Sequence, residues 1–140
     1  MSKNMPPSFL NNPTLFEGTY LEFLGFKISE WNQGYATLEM PVRSDHKNTA
    51  GHLHGGVIAS LLDVAGALSG SYGETNNFLA VTVNLNCNYM APHKAAEVLV
   101  KSELVSATNS LFFAQGSLLD PVNNRVCAIA SGTYKKKLRK

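Results

Sequence analysis

Only two cysteines, Cys87 and Cys127, occur in 140 residues. That is too few for a disulfide framework, so the fold must rest on burial and the chain reads as cytoplasmic, with reduced thiols. Charge is scarce as well. Asp, Glu, Lys and Arg make up 16% of the residues against 44% hydrophobic, which excludes a disordered chain. No apolar run reaches the ~18 residues of a membrane span. Met1 to Pro7 lacks the basic start and apolar stretch of a secretory signal. No repeat, low-complexity tract or linker interrupts the chain. Residues 1–140 therefore read as one domain, with 1–7 and 136–140 expected to be mobile.

The net charge of +2 hides an asymmetry. Lys135, Lys136, Lys137, Arg139 and Lys140 hold five of the twelve basic residues in the last six positions. The remainder has seven basic residues against ten acidic, which leaves no basic footprint for nucleic acid. The basic run reads first as a solvated tail, and second as a weak attractant for an anionic substrate.

Asn12-Pro13 has the chemistry of a helix start, and Leu15, Phe16, Tyr20, Phe23 and Leu24 recur at helical spacing up to Gly25. Two short strands follow, around Phe26 and Ile28 and from Ala36 to Val42, joined by an Asn32-Gln33-Gly34 turn. After a polar loop, Gly55 to Tyr72 reads as a long helix with Asp63 as its single charge. A helix so apolar should be wrapped by protein on most sides. Ala59, Gly66, Ala67 and Gly70 supply small faces for close backbone approach. Strands then follow at 79–90, 98–106, 111–119 and 125–135, with Asp120 to Asn124 turning the last hairpin. In the first of these, Leu79, Val81, Val83, Leu85, Cys87 and Tyr89 alternate with Thr82, Asn84, Asn86 and Asn88. About six such strands around one helix make an α+β fold with a curved antiparallel sheet.

Several residues could carry chemistry. A carboxylate on a buried helix must find partners or give up its charge. Asp63 is thus either a structural aspartate or a general base or nucleophile. Gly55-Gly56 opens the helix, where free N–H groups and the positive end of the dipole suit an oxyanion, or else form only a tight turn. Asn48 could donate to a carbonyl and His54 could brace the turn, although both have ordinary structural explanations. Thr82 could hold a water for Asp63 or simply face solvent. His52-x-His54 raises a metal site, but no third and fourth ligand follow at a recognisable spacing.

Spacing ties two of these together. Gly55 and Asp63 lie eight residues apart, roughly 12 Å along one helix, so they cannot face one carbonyl carbon. If they cooperate they come from two chains, which predicts an isologous homodimer with two equivalent sites.

The run Asn48-Thr49-Ala50-Gly51-His52-Leu53-His54-Gly55-Gly56, followed by Val57 to Leu62 and Asp63, resembles the signature of hot-dog-fold acyl-CoA thioesterases, closest to the phenylacetate-pathway (PaaI-like) branch. The strand Val81 to Met90 with Ala91-Pro92 resembles that family's next block, and the likeness runs from about residue 20 to 135. The resemblance implies a hot-dog fold and hydrolysis of an aromatic or medium/long-chain acyl-CoA. Asp63 would be the general base or nucleophile, the Gly55 N–H the oxyanion donor with Asn48 on the same oxygen, His54 the loop brace, and Thr82 the water holder. Asn84, Tyr89 and the Ala107-Thr108-Asn109 turn would follow the coenzyme A arm. No metal or cofactor is implied, and the homodimer would pair into a dimer of dimers, a homotetramer. A hydratase of the same fold would carry a histidine a few residues beyond the aspartate, and none follows Asp63. A non-catalytic acyl-CoA-binding module is the alternative of a different class.

Overall fold

Glycines and short polar turns cut this chain into elements whose apolar faces can be buried only on one another. A computed structural model describes residues 16–74 and 78–138. The elements are α1 (Tyr20–Leu24), β1 (Lys27–Asn32), β2 (Tyr35–Pro41), a 3-10 turn (Ser44–His46), α2 (Gly55–Ser69), β3 (Phe78–Tyr89), β4 (Glu97–Ala107), β5 (Leu111–Asp120) and β6 (Arg125–Leu138). The strands form one six-stranded antiparallel sheet in the order β1-β2-β4-β5-β6-β3. The meander β4-β5-β6 thus fills the gap between β2 and β3, and α2 lies across the sheet. This is the curved sheet around one helix that the alternation implied. No helix among the described residues is long and apolar enough to cross a membrane.

Several expectations change. The first helix is short, because Gly18 at φ +73° interrupts it and Thr19 becomes its N-cap; Asn12, Pro13 and Leu15 lie outside the described residues. α2 ends at Ser69 rather than Tyr72, because Gly70 leaves helical geometry at φ −101° and ψ 6°. The small residues Gly66 and Gly70 admit aromatic rings rather than other backbones: a Cβ at Gly66 would collide with the Tyr134 hydroxyl, and one at Gly70 with the Phe112 ring. The basic run is no loose tail as far as Leu138. Lys135, Lys136 and Lys137 are paired strand residues opposite Val81, Ala80 and Leu79, while Arg139 and Lys140 lie outside the described residues.

The core packs α2 onto the sheet through Leu61, Leu62, Ala65 and Leu68 against Leu38, Met40, Val98, Val100 and Leu118, all at most 5% exposed. Trp31 Nε1 donates to the Leu68 carbonyl at 2.7 Å and ties the end of α2 to β1. Gly66→Ala is expected to lower stability by about 2 kcal/mol, since Tyr134 is buried and cannot swing aside. A urea midpoint equal to wild type would contradict this packing.

α2 is less enclosed than its composition suggests. Ala59, Ser60, Asp63, Val64 and Ala67 are half-buried along one side of it.

β3 carries the other departure. Its register with β6 shifts between Thr82 and Asn84, leaving Val83 as a bulge. Thr82 pairs with Tyr134, whereas Asn84 pairs with Thr133, its neighbour on the opposite face. Thr82 therefore shares the helix side of the sheet with Leu85, Cys87 and Tyr89, while Asn84, Asn86 and Asn88 lie on the other side; on this open edge strand Thr82 and Tyr89 are themselves exposed. The uninterrupted alternation expected for this strand is wrong at one residue, and every face assignment on its first half is reversed.

Candidate active site

The loop before α2 folds on its own polar groups. Asn48 Oδ1 accepts the N–H groups of Ala50 and His52, both at 3.0 Å, around Gly51 at φ +83°. Its carbonyl is engaged in the loop, whereas no partner among the described residues takes its Nδ2, which can donate outward. Two main-chain bonds hold the loop from behind: His54 N–H to the His46 carbonyl at 2.9 Å, and Leu53 N–H to the His93 carbonyl at 3.1 Å.

His54 caps α2 with its own ring, Nδ1 accepting the Gly56 N–H at 2.8 Å. Its carbonyl takes the N–H groups of Val57 and Ile58 at 3.0 and 3.1 Å. Of the helix's first N–H groups, that of Gly55 alone has no acceptor among the described residues. It stands at the positive end of the dipole. The Tyr89 hydroxyl donates to the Gly55 carbonyl at 2.8 Å, so it braces the first turn and does not point along an open channel. Asn48, His52, Leu53, Gly55, Ile58 and Tyr89 line a cleft of about 350 Å³.

Two turns further on, Asp63 is half-buried. Thr82 Oγ1 donates to its Oδ1 at 2.8 Å, a contact that exists because the Val83 bulge turns Thr82 toward the helix. Tyr134 Oη donates to the Asp63 main-chain carbonyl at 3.1 Å. Burial, then the Asp63 charge, pushes the Tyr134 hydroxyl far above the usual tyrosine range, so it remains a donor. Burial also raises the Cys87 thiol, which the neighbouring Tyr89 hydroxyl opposes and the Asp63 charge reinforces. Asp63 and Thr82 belong to a second cleft, about 360 Å³, whose other walls are largely apolar: Phe16, Leu21, Val64, Leu68, Phe78 and Ala80, with Thr19, Ser71 and Glu74.

The two clefts share no residue. One groups Asn48, Gly55 and Tyr89, the other Asp63 and Thr82. His54 touches Gly56 rather than Asn48. Asn84 lies on the outer face of the sheet. Thr108 and Asn109 are exposed in the β4–β5 turn, where the Thr108 hydroxyl accepts from Leu111 N–H at 3.0 Å. No group of three His, Cys, Asp or Glu among the described residues is placed to hold a metal ion.

Three supporting residues escaped the sequence reading: Tyr134, His46 and His93. Tyr134 shows itself only through a contact 71 positions away. His46 and His93 are 0% and 1% exposed, and His93 has neither ring nitrogen bonded. Burial holds both below the ordinary 6.5, with Arg43 second for His46, against weaker pulls from Leu24 and Asp45, and from Glu97 and Asp120 for His93. The unfolded chain therefore takes up protons first. Stability is intact above 6.5 and falls as pH drops from there toward the native-state values. Urea midpoints are expected to be lower at about pH 5 than at about pH 7.5, with a smaller loss for His93→Phe; equal midpoints in the wild type would contradict this.

Comparison with known proteins identifies the family and the fold. The family model described as "Thioesterase superfamily" matches residues 50–127, which run from Ala50 in the loop through α2, β3, β4 and β5 to the start of β6. Mouse acyl-coenzyme A thioesterase 13 is 31% identical over 101 residues, covering 71% of this chain and 70% of that one. A variant of the phenylacetic acid degradation protein PaaI from Thermus thermophilus is 25% identical, with a TM-score of 0.72 over 86% of this chain and 98% of that one. A thioesterase from Haemophilus influenzae superposes with a TM-score of 0.83 over 99% and 96% of the two chains at 22% identity, a likeness of fold alone. With a matched family model over more than half its length, a six-stranded sheet wrapped on one helix, and an asparagine–glycine–aspartate set on that helix and its loop, this chain belongs to the thioesterase superfamily and is a hot-dog-fold thioesterase.

Proposed function

We propose that this enzyme hydrolyses the thioester of an acyl-CoA, with an aromatic or medium- to long-chain acyl group, at a site made by two copies of the chain. The observation that carries the reading is the pairing of contacts at the start and in the middle of α2. Gly55 is bonded to Tyr89, and Asp63 to Thr82, so α2 and β3 run antiparallel, with one half of a site at the helix start and the other two turns along it. Among the described residues β3 pairs only with β6, which leaves its other edge open. A two-fold axis near Ala59 and the middle of β3 would set Gly55 and Tyr89 of one copy against Asp63 and Thr82 of the other. Helix and strand call for the same axis independently, and the small Ala59 permits the helices to approach.

In this reading the acyl group enters the largely apolar cleft beside Asp63, and the thioester oxygen faces the Gly55 N–H and Asn48 Nδ2. Asp63 accepts a proton from a water held with the help of Thr82, and the water oxygen bonds to the carbonyl carbon. The tetrahedral oxyanion is stabilised by the two donors. Its collapse breaks the C–S bond, and the sulfur leaves as a thiol with the proton from Asp63. Direct attack by Asp63 differs only in passing through an anhydride that water then opens. Mouse acyl-coenzyme A thioesterase 13 supports coenzyme A as the carrier by its name.

The test is a panel of aromatic, medium- and long-chain acyl-CoAs with a thiol-reactive dye. Thiol release that exceeds the Asp63→Asn background on at least one chain is expected; release equal to that background on all of them would sink the proposal. Sedimentation of the active enzyme is expected to give a dimer or a pair of dimers, and an active monomer would overturn the shared site.

A further inference from the structure

We infer that His46 and His93 position the loop before α2 only as neutral imidazoles, so that a proton taken up beneath the loop withdraws Asn48 and the Gly55 N–H and switches hydrolysis off reversibly. The inference rests on the acyl-CoA hydrolase reading of that loop. Residues 47–54 form a small closed unit: Lys47 and Leu53 make an isolated antiparallel bridge, and the Asn48 N–H donates to the His52 carbonyl at 2.7 Å. The unit rests on two carbonyls, and both belong to histidines. That of His46 takes the His54 N–H, and that of His93 takes the Leu53 N–H. One histidine precedes the loop in the chain, and the other arrives from the connection between β3 and β4. That connection is itself pinned, with the Met90 and Ala91 N–H groups on the Cys127 carbonyl and the Val42 N–H on the Ala96 carbonyl.

The two rings are poorly provided for a charge. Both are at most 1% exposed. His46 Nδ1 accepts the Arg43 N–H at 3.0 Å, so the neutral ring carries its proton on Nε2, which is buried without a bonded partner. A second proton would land on Nδ1 and set donor against donor, with the Arg43 guanidinium adding a like charge. The Leu24 main chain and Asp45 pull the other way, more weakly. His93 has no bonded partner at either nitrogen, and the Glu97 main chain and Asp120 favour its charge less than burial opposes it. Phe23 stands edge-on to the His46 ring at 6.2 Å and offers no acceptor. A charged ring is therefore relieved by moving toward water, and that movement carries the loop's anchoring carbonyl with it. His52 and His54 lie on the loop itself, one lining the cleft and the other capping α2. Because the fold holds the two buried rings neutral, the positioned loop prevails above the ordinary 6.5 and gives way as pH falls from there toward the native-state values.

The experiment follows kcat for an acyl-CoA from about pH 5 to pH 8 by loss of thioester absorbance. Fluorescence of the sole tryptophan, Trp31, checks that each protein is folded at each pH. His46→Asn puts an amide oxygen where Nδ1 accepts from Arg43 and takes up no proton. His46→Leu removes the acceptor as well, and His93→Phe fills the place of the second ring without a titrating group. The double variant His46→Asn with His93→Phe is expected to carry the acid limb of kcat at least about half a pH unit lower. At about pH 7.5, His46→Leu is expected to lower kcat roughly tenfold with a smaller change in KM, and His46→Asn to recover most of that loss. A limb moved by one single variant alone assigns the switch to that ring and supports the inference. An acid limb unmoved in the double variant, or His46→Leu as fast as His46→Asn, overturns it. A wild type that hydrolyses no acyl-CoA at any pH defeats the thioesterase reading, and the loop is then followed by nuclear magnetic resonance. Gly51 and Gly55 amide signals that move between about pH 7.5 and pH 5 in the wild type but stay in the double variant support the positioning role, and signals that move equally in both overturn it.

Discussion

Asp63→Asn is expected to lower kcat by roughly 10²–10⁴-fold without unfolding the protein. The amide has the shape of the carboxylate and can still accept the Thr82 hydroxyl at the position of Oδ1, now bonded at 2.8 Å. The helix turn is held independently by Tyr134 on the Asp63 carbonyl. What disappears is the ability to take a proton or to attack carbon. Asp63→Ala removes the Thr82 partner as well and is expected to be no faster. Thiol release at saturating acyl-CoA measures the loss, and Asp63→Asn retaining more than about a tenth of the wild-type kcat would remove Asp63 from the chemistry.

Gly55→Pro is the matching experiment at the start of the helix, with an expected loss of roughly 10²–10³-fold in kcat. Proline deletes one N–H group, the one left without an acceptor. It is tolerated at the first position of a helix, and the residue before it must be extended, as His54 already is at φ −65° and ψ 139°. Gly55→Ala is the control: its Cβ would lie 3.5 Å from the Tyr89 ring, an ordinary contact, and its N–H remains. Comparable losses in the two variants would mean that crowding, not a missing donor, had been measured. The two inactive chains can then be mixed. If the site spans two copies, subunit exchange between Asp63→Asn and Gly55→Pro makes mixed dimers with one intact site, restoring roughly a quarter of wild-type activity. A mixture as inactive as its parts would confine the site to one chain.

The architecture was legible where local pattern and tertiary need coincide. Val57, Leu61, Ala65 and Leu68 recur at helical spacing, and the sheet core uses the alternate positions that the sequence marks as apolar. Gly55, Asn48 and Asp63 were visible because glycines at a helix start and a lone carboxylate in an apolar helix are locally odd. The errors arose where an extra residue or a distant partner decides the outcome. Val83 continues a flawless alternation of apolar and polar residues, so nothing in its composition marks the bulge. Three consecutive lysines look like a solvated tail until Val81 and Leu111 pair with Lys135. His93 and Tyr134 support the site from beneath through contacts distant in sequence, and His46, only eight residues before His54, carries no local mark of its burial.

The bulge also divides β3 into two compartments of heritable variation. Upstream of Val83, a change at Thr82 removes the hydroxyl bonded to Asp63. Downstream, Asn84, Asn86 and Asn88 stand on the outer face, where their identity can drift or be recruited without disturbing Asp63. A strand without the bulge would couple the two, since any slip of register would exchange both surfaces at once. Val83 is therefore a natural crossover point for chimeras, at which the Thr82 end of one strand can be joined to the Tyr89 end of another without changing the face that either half presents to the helix.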